Sequence, residues 1–245
     1  MNFEELLSSF KVHNDLNRTF WGFNDKLDPK IRSALIGIAM TFYNTIDVEN
    51  KPEIKDIVFT GSLANYNYSR FSDVDLHLLF DFEAMGEHKE HFEKIFALTK
   101  TRWNDLHDIK IKGYEVEIYT EDFRNPHIST GLYSVKNDTW IKSPEKKTPV
   151  FDELDVKSKL QGFINLYKEL LTRYKQDNLD GLKDKIEALQ EKIRKYRQSG
   201  LEKGGEFSVE NITFKLMRRI KLLDKIAALK VAVIDKKLSV ENKKI

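Results

Sequence analysis

The sequence predicts an α/β (α+β) domain, with a small mixed sheet flanked by helices, followed by an all-α helical bundle. Two observations support this prediction. Short β-branched and apolar runs alternate with helix-period patterns over the first part of the chain, and only helical patterns follow residue 150. The segment Pro144–Pro149 (PEKKTP) has the composition of a linker. We therefore predict domains at residues 1–145 and 146–245.

The first predicted domain alternates helices and strands. Its elements, in order, are helix 3–23, helix 29–46, strand 55–60, a polar loop or short helix 62–70, strand 73–81, helix 86–104, and a strand or hairpin 108–120. Asp28-Pro29 is typical of an N-cap followed by proline at the first helical position. Lys112-Gly113 marks the turn of the hairpin. The aromatic residues Tyr133 and Trp140 lie in a more irregular segment.

The second predicted domain is helical and basic. Helices are expected at about 152–176, 179–198 and 207–238, with a glycine-rich break over residues 199–205. Residues 151–245 hold 22 lysines and arginines against 15 acidic residues, whereas residues 1–150 hold 19 against 24. A basic half suits an anionic substrate such as a triphosphate or RNA. Solvated lysine-rich helix faces give the same composition.

Composition limits the chemistry that the chain can use. The sequence contains no cysteine, so disulfides and cysteine-based zinc sites are excluded. The first twenty residues lack the pattern of a signal peptide, and no apolar run reaches the ~18 residues of a membrane span. We therefore expect a cytoplasmic protein without a membrane partner.

The most informative stretch is Gly61-Ser62 followed, after ten residues, by Asp73-Val74-Asp75. Alternate side chains of a strand share a face, so Asp73 and Asp75 should lie together, with Cα atoms roughly 7 Å apart. Two such carboxylates repel each other unless a cation or a proton intervenes. Their oxygens suit Mg²⁺, and Gly61-Ser62 offers backbone N–H groups and a hydroxyl to a phosphate. The pattern therefore predicts a nucleotide-handling site.

This pattern resembles the signature of the DNA polymerase β-like nucleotidyltransferase superfamily. The superfamily completes it with a third carboxylate, flanked by apolar residues, on a later strand, and Tyr114–Tyr119 (YEVEIY) supplies one. The resemblance is closest to uncharacterised phage-type members. Similar segments there correspond to Gly113–Glu117 (GYEVE), Ser129–Ser134 (STGLYS) and Gly204–Ser208 (GGEFS). It covers residues 55–145 well and the C-terminal third more weakly.

Two glutamates compete for the place of the third carboxylate. Glu117 lies between Val116 and Ile118, as the superfamily's pattern requires. Glu115 lies on the same face of the predicted strand and has a similar local pattern, so the sequence leaves both open. We assign Asp73, Asp75 and Glu117 as the predicted catalytic and metal-binding residues.

The resemblance implies a metal-dependent nucleotidyltransferase with a nucleotidyltransferase fold over residues 1–145. Such an enzyme moves an NMP from ATP or another NTP to a hydroxyl of RNA, protein or a small molecule and releases pyrophosphate. The metal is expected to be Mg²⁺, with Mn²⁺ as a substitute. The predicted nucleotide-binding residues are Gly61, Ser62, Ser72 and Tyr133. The alternatives are a synthase of a nucleotide second messenger and a non-catalytic module that binds nucleotide or RNA.

Overall fold

The chain forms two compact units. The computed structural model describes residues 3–125 and 129–239, so residues 1–2, 126–128 and 240–245 of the predicted domains lie outside the described residues. One unit is Ser9–Thr148, and the other comprises the described parts of Met1–Ser8 and Pro149–Ile245. All the described strands lie in the first unit, and the second is helical. An α+β unit followed by helices is therefore confirmed.

The described residues of the α+β unit form one six-stranded mixed sheet. Its strands are β1 (Ile54–Thr60), β2 (Val74–Phe80), β3 (Lys110–Ile111), β4 (Tyr114–Asp122), β5 (Leu132–Ser134) and β6 (Thr139–Lys142). Their spatial order is β3-β4-β2-β1-β5-β6. β2 and β4 pair in parallel, and the other neighbours pair antiparallel. The predicted small mixed sheet is thus confirmed.

The central strand β2 has one apolar face and one polar face. One face consists of fully buried apolar residues: Val74, Leu76, Leu78 and Phe80. On the other face, Asp75 and His77 are partly exposed. The apolar face meets helices α2 (Pro29–Thr45) and α3 (Lys89–Leu106). On this face the ring of Phe80 packs edge-on against Phe96, with centroids 4.7 Å apart. Burial of this face fixes the register of β2, because a slip of one residue would expose it.

Helix α2 begins as the sequence predicts. The Asp28 side chain accepts hydrogen bonds from the backbone N–H groups of Lys30 and Ile31, and Pro29 occupies the first turn. The cap satisfies two donors that have no partner within the helix.

We expect Asp28→Ala to lower the free energy of unfolding by about 1 kcal/mol, because it removes both capping bonds. Urea denaturation of the two proteins measures the difference. An unchanged midpoint at an unchanged slope would show that the cap contributes nothing to stability.

The predicted hairpin turns where expected. Lys112 and Gly113 both have positive φ, at 54° and 86°, between the short strand β3 and the start of β4. Two consecutive residues with positive φ match the twist of a two-residue hairpin. Beyond Glu115, β4 no longer pairs with β3. There the side chain of Asn104 in α3 donates to the Ile118 carbonyl and accepts from the Ile118 N–H.

The prediction of a helix over residues 3–23 is wrong beyond Ser8, where α1 (Phe3–Ser8) ends. The segment that follows makes turns: the Asn17 carbonyl accepts from the N–H groups of Phe20 and Trp21. The Asn17 side chain also accepts from the Thr19 N–H at 3.0 Å, a local bond through which asparagine competes with a continued helix. The turns place Trp21 in the core, where its indole N–H donates to the Leu63 carbonyl at 2.7 Å.

Within residues 3–8 and 149–239, the helical unit contains α1 and four longer helices. These are α4 (Glu153–Lys175), α5 (Leu182–Gly204), α6 (Val209–Arg219) and α7 (Leu222–Leu238). A break was predicted over residues 199–205, but α5 continues to Gly204, so only Gly205 of that segment lies outside the helix. The predicted single helix over 207–238 is wrong, since Lys221 adopts a left-handed conformation with φ 57°. This bend leaves Leu216 on one side and Ile226 on the other both buried.

No helix among residues 3–125 and 129–239 combines the length and the apolar character needed to cross a bilayer.

Candidate metal centre

The polar face of the sheet brings two predicted site residues together through strand pairing. β2 and β4 run in parallel, and Asp75 is the register partner of Glu117. Paired residues of neighbouring strands point to the same face. The next same-face pair along the two strands is His77 with Tyr119. The predicted third carboxylate therefore stands beside Asp75.

Asp73, Asp75 and Glu117 form an acidic triad. One carboxylate oxygen of each lies within 4.8 Å of the others, and all three residues are partly buried. Among the described residues, this is the one group of three or more potential ligands that could hold a metal ion. Carboxylates at this spacing repel one another, and partial burial strengthens the repulsion.

The donor set fits a hard divalent cation. It consists of oxygens only, which suits Mg²⁺ or Mn²⁺ rather than a softer metal. Ligands on opposite sides of such an ion are roughly 4 Å apart, which is compatible with oxygens that all lie within 4.8 Å of one another. Three protein ligands leave other coordination positions for water or phosphate. The triad could thus hold a metal ion.

Glu115 lies in a different environment from Glu117. Its side chain is 65% exposed and lies 4.0 Å from the Lys110 ammonium group, across the β3–β4 hairpin. Among the described residues, no group of potential ligands includes it. The structure places Glu117, and not Glu115, beside the two aspartates.

Gly61 brings the end of β1 against Asp75. Thr60 pairs with Asp75, and Gly61 then turns the chain with φ 78°. A Cβ atom built on Gly61 would lie 1.8 Å from Oδ2 of Asp75. Only glycine fits here, because both the positive φ and the close approach exclude a side chain.

The two serines that were predicted to bind the nucleotide contact each other. Ser62 opens a short 3₁₀ turn, and its hydroxyl lies 2.6 Å from the hydroxyl of Ser72. The Ser72 oxygen also accepts a hydrogen bond from the Ser69 N–H at 2.9 Å. Because Ser72 directly precedes Asp73, this contact ties the turn after β1 to the acidic strand. Gly61, Ser62 and Ser72 therefore border the triad.

Residues of the STGLYS segment support the same turn from the side of β5. The Thr60 hydroxyl donates to the Gly131 carbonyl at 2.9 Å, and Asn65 donates to the Thr130 hydroxyl. A Cβ atom on Gly131 would lie 2.1 Å from the Ala64 carbonyl oxygen. Gly131 thus allows the backbone of this segment to approach the turn after Gly61.

Tyr133 lies on the opposite face of the sheet from the triad. Its register partner is Phe59, which pairs with the core residue Leu76. The ring is fully buried, with Trp21 and Trp140 edge-on to it at centroid distances of 5.0 Å. Its hydroxyl donates to Asp138 at 2.8 Å. A ring that stacks on a nucleobase needs a free face, so this position makes Tyr133 a core residue and not part of a nucleotide site.

Two neighbours of the triad were not assigned to the site from the sequence. The Tyr119 hydroxyl donates to Oε2 of Glu117 at 2.5 Å, and the Tyr119 ring stacks on His77. Burial, together with the nearby Asp75 and Glu117 carboxylates, raises the pKa of the Tyr119 phenol, so the phenol stays protonated. The two-residue period of the strand places Tyr119 beside Glu117, and this signal was available in the sequence.

Comparison with known proteins gives no match for this chain among family models, curated proteins or solved structures.

Proposed function

We propose that this protein is a nucleotidyltransferase that uses a divalent metal ion to move an NMP from an NTP to a hydroxyl acceptor. The observation that carries the proposal is the convergence of Asp73, Asp75 and Glu117 within 4.8 Å, bordered by Gly61. The mixed sheet is compatible with the nucleotidyltransferase fold that the sequence motif suggests. RNA, protein and small molecules are the acceptor classes.

The bound ion, Mg²⁺ or Mn²⁺, would neutralise phosphate charge and lower the pKa of the acceptor hydroxyl. Asp73, Asp75 and Glu117 would hold it. The backbone at Gly61 and the Ser62 hydroxyl would hold the terminal phosphates, with Ser72 fixing the Ser62 hydroxyl. The acceptor oxygen loses its proton to solvent and bonds to the α-phosphorus. The bond from the α-phosphorus to the oxygen that bridges the α- and β-phosphates breaks, and pyrophosphate leaves.

Incubation with α-labelled NTPs and Mg²⁺ or Mn²⁺ tests the proposal. Label on RNA or protein supports transfer to a macromolecule, and label on a separable small acceptor supports a small-molecule transferase. Label in a short oligonucleotide or cyclic product would indicate a synthase of a second messenger. NTP binding without turnover for any acceptor class would indicate a non-catalytic module and would overturn the proposal.

Substitution of the two glutamates tests the third ligand. We expect Glu117→Gln to lower kcat/KM for transfer by about 100-fold or more, because it removes a charged oxygen donor from the metal site. The matched change Glu115→Gln alters a solvated carboxylate on the same strand and should change transfer by less than about twofold. Steady-state rates at saturating metal compare the two variants. An equal loss in both would contradict the assignment of Glu117.

A further inference from the structure

Glu117 is the triad member whose position needs the most support. A glutamate side chain has one more rotatable bond than an aspartate, and ordering a freely rotating side chain costs entropy. The two neighbouring aspartates also repel its carboxylate. Both effects favour rotamers that carry Glu117 away from a shared ion. A contact that holds the carboxylate in place before the ion binds therefore lowers the cost of forming the site.

Tyr119 provides that contact. Its hydroxyl donates to one oxygen of Glu117 at 2.5 Å, within the range of a charge-assisted O–H···O⁻ bond. The two residues are two positions apart on β4, so their side chains leave the same face of the sheet. Such a bond both orients the carboxylate and withdraws part of its charge from the repulsion with Asp73 and Asp75.

The ring that carries this hydroxyl is itself held. Tyr119 stacks on the imidazole of His77, with centroids 4.6 Å apart and planes 16° apart. Nδ1 of His77 lies 3.1 Å from Oε1 of Glu121, the next residue on this face of β4. The Lys100 ammonium group of α3 lies 5.6 Å from the Tyr119 ring centroid. The hydroxyl is therefore presented from a ring with neighbours on β2, β4 and α3.

We infer that Tyr119 is a positioning residue for the metal centre: its hydroxyl holds the Glu117 carboxylate in the orientation in which the triad receives a divalent cation. The inference rests on the metal site of the proposed function. It adds that metal affinity depends on a phenol that is not itself a ligand, supported by His77 and Glu121. Groups that orient metal ligands typically change metal affinity by 10–100-fold when they are removed.

The test is Mn²⁺ binding, without nucleotide, to the full chain and to Tyr119→Phe. The substitution removes the hydroxyl and keeps the ring stacked on His77. We expect its Kd for Mn²⁺, measured by calorimetry or from the EPR signal of free Mn²⁺, to rise about tenfold or more. Tyr114→Phe is the matched control, because Tyr114 lies on the other face of β4 and its hydroxyl contacts Asn17. That control should stay within about twofold of the wild type.

An unchanged Kd in Tyr119→Phe overturns the inference, and so does a wild-type chain that binds no Mn²⁺. A merely structural role would lower the melting temperature of Tyr119→Phe while leaving the Mn²⁺ affinity of the folded protein unaltered. If Tyr119→Phe does not fold, Glu121→Gln replaces it as the test. This change weakens the contact between Glu121 and His77 and should also raise the Kd for Mn²⁺; an unchanged Kd in Glu121→Gln overturns the inference as well. A wild type that binds Mn²⁺ but transfers no NMP would refute the proposed function alone.

Discussion

The paired substitution Asp73→Asn with Asp75→Asn is expected to abolish NMP transfer while the protein still folds. Both amides keep the shape of the side chains but remove two of the three charged ligands of the triad. A metal ion contributes several kcal/mol of charge stabilisation in the transition state. A loss of about 4 kcal/mol corresponds to roughly a thousandfold lower rate. Transfer of α-label by the double variant at saturating NTP measures this loss.

The same variant should not be less stable than the wild type in the absence of metal. Three partly buried carboxylates within 4.8 Å repel one another, and the double substitution leaves one of them charged. We therefore expect an equal or higher melting temperature without metal. With Mn²⁺ present, the wild type should gain stability through binding and the variant should not. Transfer by the double variant at the wild-type rate would show that the reaction takes place elsewhere in the chain.

These two outcomes together separate a catalytic site from an ordinary strand surface. On a solvated strand face, paired aspartates would have little effect on stability and none on transfer. In a catalytic site, by contrast, the same carboxylates lower the stability of the metal-free protein and are required for activity, which is the usual trade-off between stability and function. The melting curve with and without Mn²⁺ therefore bears on function even before an acceptor is known.

The part of the site that could be predicted from the sequence is the part set by local geometry. The period of two along β2 puts Asp75 on one face and Val74 on the other, and the structure has this arrangement. Apolar residues beside the aspartates indicated which face is buried. The Asp28 cap and the Lys112-Gly113 turn were predictable for the same reason, since each depends on neighbouring residues only.

The choice between Glu115 and Glu117 depends on pairing between strands, which local pattern cannot supply. Both glutamates have the same face and similar neighbours in the sequence. In the fold, the parallel register puts Glu117 beside Asp75, while the hairpin puts Glu115 beside Lys110. Register is fixed by burial of the opposite face and by the turn, so it appears only once the strands are assembled.

The role of Tyr133 also could not be decided from the sequence. An aromatic residue near a nucleotide motif is compatible with stacking on a base and with packing in the core. The deciding fact is that β5 pairs with β1 so that Tyr133 meets Phe59 on the buried side. Likewise, Lys221 lies between α6 and α7 in a left-handed conformation, although neither glycine nor proline marks the bend. Packing of both helical pieces outweighs local propensity there.

Gly61→Ala is expected to remove transfer and to destabilise the fold. The added Cβ would lie 1.8 Å from Oδ2 of Asp75, so either the carboxylate or the turn after β1 must move. A displaced Asp75 leaves the triad, and a displaced turn moves Ser62 from Ser72. A misplacement of about 1 Å in such a site can cost about 100-fold in rate. We expect kcat/KM for transfer to fall by that factor or more.

Gly113→Ala is the matched control for this prediction. Gly113 also has positive φ, at 86°, but a Cβ atom there would meet nothing within 4 Å. Both variants place an alanine at positive φ, which costs about 1–2 kcal/mol in the left-handed region. Gly61→Ala carries two further costs, because Gly61 has ψ −163°, in a region that is essentially restricted to glycine, and because its added Cβ collides with Asp75. Urea denaturation should show a loss of about that size in Gly113→Ala with transfer unchanged, and a larger loss in Gly61→Ala. Equal transfer by the two variants would mean that the close approach of Gly61 to Asp75 has no part in the reaction.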